Sequence, residues 1–277
     1  MQLISGTELA DKVKHDLSER IKLLKRKPNL VVIIVGDDPA SKVYVKNKEK
    51  AAEKCGIKSL TIRMPEATSE SELLNKINEL NHDEHIDGIL VQLPLPKQID
   101  EKKVILAISP LKDVDCFHPI NVGNLYSGNI TINSMLPCTP KGIVRLIKEV
   151  EPNLGGKKVC IVGRSNIVGK PVAQLLLNES CTVKITHSKT ANLEDETKWS
   201  DILIVAIGRP KFITAEYVNE NMLVIDVGVN RTETGICGDT DFDNIKNIVK
   251  AITPVPGGCG PMTIACLMEN VYNCAIN

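Results

Sequence analysis

Tyr44 and Lys48 stand four residues apart, the spacing that puts two side chains on one face of a helix. A lysine kept from water in a cleft can serve as a general base. Gln92 closes the apolar run Ile86–Gln92, and Leu93-Pro94-Leu95-Pro96 turns the chain directly after it. In parallel α/β sheets, ligands bind beyond the carboxyl ends of strands, and Gln92 and Leu93 stand at such an end. Asp115 lies in the loop sequence Lys112-Asp113-Val114-Asp115. Pro254-Val255-Pro256-Gly257-Gly258 follows the last strand-like run, and bare glycine backbone lets a flat ring come close. Taken singly, each is a cap, a turn or a solvated charge. Gathered at strand ends, they read as a reaction site.

A second constellation could hold an anionic cofactor. Lys157–Gly163 reads as a strand entering a tight turn, and Arg164-Ser165-Asn166-Ile167-Val168-Gly169-Lys170-Pro171 opens a helix. This is where a Rossmann fold holds a pyrophosphate against backbone N–H groups. The usual fingerprint is G-x-G-x-x-G, and Ser165 occupies the second glycine's place. The next strand ends at His187-Ser188-Lys189-Thr190. An enzyme selective for NAD would carry an acid there to bind the ribose 2′-hydroxyl; none is present. His187, Ser188 and Lys189, with Arg164 nearby, suit a 2′-phosphate and so NADP. One hydrogen bond to that charged group contributes roughly 1.5–3 kcal/mol, a preference of about ten- to a hundredfold.

The elements that must position these residues alternate along the whole chain. Ser5 with Glu8 reads as a capping box, followed by Leu9, Val13, Leu17, Ile21 and Leu24 at helical spacing. Leu30–Val35 is a continuous apolar run, as expected of a buried parallel strand. Asp38-Pro39 starts a helix that Cys55-Gly56 ends. Ile57–Arg63 is strand-like, Ser69 with Glu72 caps another helix, and a short helix spans Asp100–Ile108. Leu111–Pro137 loses all periodicity and reads as one long loop. His118, beside Pro119, reads as a stabiliser of that loop. Thr139-Pro140 starts a connecting helix to about Val150. Strands are then expected over Lys157–Gly163, Thr182–His187, Asp201–Gly208, Leu223–Asn230 and Ala251–Val255, with a last helix over Met262–Ala275. Repeated βαβ units imply parallel sheets with helices on both faces.

Bulk properties narrow the class. With 277 residues, 34 basic against 34 acidic, the chain has no global field to draw nucleic acid or an acidic membrane, so neither is an expected partner. No apolar run reaches the ~18–20 residues of a membrane span, and the N-terminus lacks a secretory pattern. Nine scattered cysteines without a C-x-x-C pair read as reduced core residues of a cytoplasmic protein. No carboxylate–histidine cluster has ligand spacing, so no metal is expected.

Tyr44-Val45-Lys46-Asn47-Lys48, Asp87 to Pro96, Lys112 to Asp115, Gly163 to Gly169 and Pro254 to Thr263 resemble the bifunctional methylenetetrahydrofolate dehydrogenase/methenyltetrahydrofolate cyclohydrolase family over nearly the whole chain. Cys116 stands where that family usually has glycine, and Cys259 where it usually has valine. The resemblance implies two three-layer αβα domains with mostly parallel sheets, the second Rossmann-like, with a cleft between them. Residues 1–138, joined by the C-terminal helix 262–277, would bind folate and carry catalysis; residues 139–261 would bind NADP. It implies that Lys48 is the key catalytic group, that Gln92 orients it, that Tyr44 stacks along the folate and that Asp115 holds the pterin. Asp115 suits this, because a carboxylate accepts two N–H bonds from an aminopyrimidinone edge. Leu93, Pro256, Gly257 and Gly258 would complete the folate site. Gly163, Arg164, Ser165, Ile167, His187, Ser188, Gly208 and Val229 would contact NADP. The implied partners are tetrahydrofolate one-carbon derivatives, in the supply of carbon for purine synthesis, and a second copy of the chain in a homodimer.

Chemistry separates the two implied steps. Hydride removal mainly requires that the nicotinamide be held near the one-carbon bridge. Hydrolysis requires water to lose a proton and a ring nitrogen to gain one, which is work for Lys48. A rival reading is a Rossmann dehydrogenase of shikimate-like or amino-acid substrates, which also uses a cleft lysine. The Tyr44–Lys48 pair, Gln92 and the Pro-Gly-Gly loop argue against it.

Overall fold

The computed structural model describes residues 2–131, 133–233 and 235–276, apart from the side chain of Ala40. In chain order the elements are β1 (Gln2–Leu3), α1 (Gly6–Lys22), β2 (Asn29–Val35), α2 (Pro39–Cys55), β3 (Lys58–Met64), α3 (Glu70–His82), β4 (Gly88–Val91), α4 (Glu101–Ala107), α5 (Pro119–Tyr126) and α6 (Cys138–Lys148). Then come β5 (Lys158–Val162), α7 (Gly169–Asn178), β6 (Thr182–Thr186), α8 (Leu193–Lys198), β7 (Ile202–Val205), β8 (Leu223–Asp226), β9 (Asn230–Thr232), β10 (Gly235–Cys237), α9 (Phe242–Ile245), β11 (Ala251–Ile252) and α10 (Cys259–Ile276).

The chain forms two compact αβα units. One contains Asp11–Cys138 and Ile264–Asn277. Its sheet has the order β3-β2-β4, all parallel. β2 is central and six of its seven residues are buried, which is why it reads as an unbroken apolar run. Val31, Ile33 and Val35 pack against Leu73 and Ile77 of α3 and Ile89 and Val91 of β4. Each such side chain contributes about 1.5–3 kcal/mol by leaving water. The helix ends follow their local chemistry. Asp38 accepts from the Ser41 N–H, Ser69 and Glu72 form a capping box, and Asp100 accepts from the Lys102 N–H. Gly56, at φ +81°, ends α2.

The other unit contains Thr139–Thr263 and the N-terminal segment up to Ala10. Its sheet runs β1-β11-β8-β7-β5-β6, again all parallel. Strand order reverses between β5 and β7, the switch point where such sheets take ligands. Cys160, Val162, Leu203, Val205 and Val224 form the centre of its core.

Three features differ from the sequence reading. The stretch Leu111–Pro137 is not all loop. Pro119 opens the two-turn α5, and His118 is its N-cap, its Nδ1 accepting from the Ile120 N–H at 3.2 Å. Pro119 supplies the first-turn φ that a helix needs, a start signal masked by the surrounding Asn and Gly. The N-terminal segment groups with the second unit, because the Gln2 N–H donates to the Lys250 carbonyl and the Ile4 N–H to the Ile252 carbonyl, both at 2.9 Å. The strand expected over Leu223–Asn230 stops at Asp226, where the Asp226 carboxylate accepts from the Gly228 N–H at 2.9 Å and turns the chain. Seven of the nine cysteines are buried, as expected of core residues.

Candidate active site and dinucleotide site

In the first unit, α2 carries Tyr44 and Lys48 one turn apart. The Gln92 N–H donates to the Ile33 carbonyl at 2.8 Å, so Gln92 extends β4 beyond its last residue. Its side-chain Nε2 donates to the Leu93 carbonyl at 2.7 Å. That bond fixes the amide and leaves Oε1 to accept from Lys48 Nζ at 2.9 Å. Lys48 is half-buried, whereas Tyr44 is 41% exposed and free to lie along a ligand.

Asp115 reaches the same strand end by register. Ile89 and Asp113 form a parallel bridge, with the Ile89 N–H donating to the Lys112 carbonyl at 2.8 Å. Two residues on, Asp115 lies in the turn that follows this bridge, closed by the Cys116 N–H donating to the Asp113 carbonyl at 3.2 Å. Val91, Leu93, Val104, Asp115 and Phe117 line one recess there. Desolvation pushes the Asp115 carboxyl up to about 6, against the pull of the Lys48 charge, and Asp113 adds repulsion. Among the described residues, none donates a hydrogen bond to it.

Asp113, which the sequence reading quoted only as part of a motif, holds this loop. It is buried, and accepts from the Cys116 N–H at 3.1 Å, the His118 N–H at 2.8 Å and Asn121 Nδ2 at 3.0 Å. Burial raises its pKa, and these bonds oppose the rise. From α10, Asn270 Nδ2 donates to the carbonyls of Val114 and Leu136, each at 2.8 Å. Cys116 sits at φ +61°, backbone that glycine adopts freely and that costs another residue about 1 kcal/mol or more. This is the physical content of the departure read at Cys116. Nothing in the sequence marks Asp113 or Asn270 as supports, because most of their partners are backbone groups brought near by the fold.

In the second unit, β5 ends at Gly163, at φ +126°. A Cβ there would lie 2.3 Å from the Ala206 carbonyl oxygen, and one on Gly169 would lie 2.2 Å from the Gly163 carbonyl oxygen. Both glycines are therefore needed for the strand, turn and helix to pack. Ser165 closes the turn ahead of α7: its Oγ accepts from the Val168 N–H at 3.2 Å and the Gly169 N–H at 3.3 Å. The N–H groups of Arg164, Ser165, Asn166 and Ile167 donate to no described residue, so a row of donors at the switch point is open to an anion. At the tip of β6, His187 Nδ1 accepts from the Lys189 N–H at 3.1 Å, and Ser188 and Lys189 are exposed. Gly208, at φ +63°, follows β7 with open space beside it. Ile167 and Val229 are 47% and 48% exposed, apolar surface available to a flat ring.

The Pro256-Gly257-Gly258 loop follows β11 and rests on the start of α1. The Thr7 N–H donates to the Gly257 carbonyl at 3.0 Å. A Cβ on Gly6 would lie 1.9 Å from the Gly258 carbonyl oxygen. Gly6, at the helix start marked by Ser5, is thus also the contact on which this loop rests.

These features define an α/β enzyme with one unit bearing an amine–amide–carboxylate group at a strand end and another of Rossmann type. Residues 4–115 match the tetrahydrofolate dehydrogenase/cyclohydrolase catalytic domain, and residues 137–277 match the NAD(P)-binding domain of the same family. The bifunctional protein FolD of Bacillus cereus is 56% identical over 99% of this chain and 96% of its own. The crystal structure of the bifunctional methylenetetrahydrofolate dehydrogenase/cyclohydrolase FolD from Campylobacter jejuni aligns with a TM-score of 0.96 at 48% identity, covering 100% of this chain and 99% of that one. That of the Trypanosoma brucei enzyme, complexed with NADP cofactor and inhibitor, aligns at 0.92 and 35% identity, covering 98% and 96%. The chain belongs to the tetrahydrofolate dehydrogenase/cyclohydrolase family.

Proposed function

We propose that the protein oxidises 5,10-methylenetetrahydrofolate to 5,10-methenyltetrahydrofolate with NADP, then hydrolyses the product to 10-formyltetrahydrofolate. The observation that carries this reading is the Lys48 Nζ–Gln92 Oε1 bond of 2.9 Å at a strand end shared with Asp115, in a chain of this family. Asp115, to which no described residue donates a hydrogen bond, takes the two N–H groups of the pterin edge. Tyr44 stacks along the folate, and Leu93, Pro256, Gly257 and Gly258 complete its binding site. The open amides of Arg164 to Ile167 suit a pyrophosphate. Arg164, His187 and Ser188 suit a 2′-phosphate, and Gly163, Gly208 and Val229 give close, uncluttered backbone. NADP, when bound, supplies the hydride acceptor.

Hydrolysis falls to the chain's own residues. To act as the base, Lys48 must first give up a proton; it then donates one N–H to Gln92 Oε1 and offers its lone pair to water. Water oxygen adds to the methenyl carbon and its proton passes to Nζ. The bond from that carbon to N5 then breaks as the adduct's hydroxyl gives up its proton to solvent and becomes the formyl C=O, and N5 takes the proton that Nζ had accepted. Substituting Lys48→Met is expected to lower methenyl hydrolysis by at least ~10²-fold and to affect its formation less, read as separate absorbance progress curves. Normal hydrolysis by this variant would remove Lys48 from the chemistry.

No helix among the described residues is long and apolar enough to cross a membrane. The same reading makes the enzyme a cytoplasmic homodimer, an assembly that sedimentation equilibrium tests.

A further inference from the structure

Asp239 is fully buried and lies outside every residue set assigned above. Its carboxylate accepts four N–H bonds. Three come from consecutive backbone amides in the turn after β7: Ile207 at 2.7 Å, Gly208 at 2.9 Å and Arg209 at 2.9 Å. The fourth comes from Asn230 Nδ2 at 2.8 Å, in the segment after β8 and next to Val229. Successive amides curled round one anion form a nest, and here the protein fills the nest with its own carboxylate. The fit is tight, since a Cβ on Gly228 would lie 2.2 Å from the Asp239 carboxyl. Asp239 is itself anchored by Asp226, whose carboxylate accepts from the Asp239 N–H at 2.9 Å, the Thr240 N–H at 2.8 Å and Thr240 Oγ1 at 2.6 Å. One buried acid thus staples two strand-end turns, and a second acid staples the first.

We propose that Asp239 is a positioning residue for NADP, fixing the Gly208 and Val229 turns beside the Gly163 turn at the switch point of the sheet. It touches no ligand, because its acceptor sites are taken by the protein. The inference rests on the assignment of NADP to this unit. A neutral amide at the position would turn an NH2 group toward backbone donors, and the turn after β7 would lose its shape.

The test is Asp239→Asn in the full chain, with two readouts: NADP affinity by calorimetry, and hydrolysis of methenyltetrahydrofolate with no NADP present. NADP affinity is expected to fall about ten- to a hundredfold, the scale of one charge-assisted hydrogen bond. The NADP-free hydrolysis should stay within about twofold, since that step needs no dinucleotide. An unchanged NADP affinity, or equal proportional losses in both readouts, overturns the proposal. Should Asp239→Asn fail to fold, Asn230→Ala removes one of the four bonds and is expected to weaken NADP binding about three- to tenfold. No change in NADP affinity there overturns it as well. A wild-type protein that binds NADP but hydrolyses no methenyltetrahydrofolate would contradict the proposed activity, while calorimetry would still decide the role of Asp239.

Discussion

Gln92 can present its carbonyl oxygen to Lys48 because its amide nitrogen is already committed to the Leu93 carbonyl. The neighbouring acid has the opposite character. Asp115 is held where charge is disfavoured and no described residue donates a hydrogen bond to it, so its carboxyl is raised to about 6 from an ordinary 3.8. The native state therefore loses stability as pH rises from about 4 to 6, and that loss persists above pH 6. Asp115→Asn removes the charge and is expected to stabilise the protein by about 1–3 kcal/mol at pH 8, and by less at pH 4.5. Denaturant unfolding at the two pH values measures the difference. On the proposed role, the same variant loses folate affinity. In the wild type, the folate KM should climb as pH falls below about 6, where the carboxyl gains a proton and can no longer accept two N–H bonds. A variant less stable at pH 8 than at pH 4.5, relative to wild type, would contradict the electrostatic account.

The turn between β5 and α7 leaves no room for a side chain at Gly163. Gly163→Ala would bring a methyl group to 2.3 Å from the Ala206 carbonyl at a φ of +126°. Neither strand can yield, because β5 and β7 are paired from Val159 to Val162. The expected outcome is a loss of about 2 kcal/mol or more in stability and at least ~10-fold in NADP affinity, checked by thermal melts and titration. This turn was legible in the sequence because its cause is local: an apolar strand, a glycine and a helix start within a dozen residues. The same holds for α2 and α3, whose Asp38 and Ser69 caps were legible from residue type alone. What the sequence hid depends on distant partners. Asp239 reads as one acid in a polar stretch, and its importance arises from three amides more than 29 residues away. Asp113 is hidden for another reason: its neighbour Asp115 is the acid that looks free. The helix α5 was lost among Asn and Gly residues that favour turns, although Pro119 and His118 mark its start.

For the molecule as a whole, the legible part was the alternation that makes two parallel sheets; the illegible part was which sheet the first strand joins. β1 pairs with β11 nearly 250 residues later, and no local pattern encodes that choice. Net charge acts at this same scale. With 34 basic and 34 acidic residues the protein exerts no overall pull on an anion, so discrimination between NADP and NAD must rest on short-range contacts. Arg164, Ser188 and Lys189 are exposed, and contacts of exposed charges are screened once the Debye length falls from about 10 Å at 0.1 M salt to about 3 Å at 1 M. On the proposed assignment, the open amides at the Gly163 turn serve both cofactors, so their salt dependence cancels in a comparison. The KM for NADP is therefore expected to rise by about threefold or more between 0.1 and 1 M salt, while that for NAD rises by a smaller factor, narrowing the preference. Initial rates with each cofactor across a salt series measure this. A preference that stays constant across the series would place the discrimination in buried contacts, away from the tip of β6.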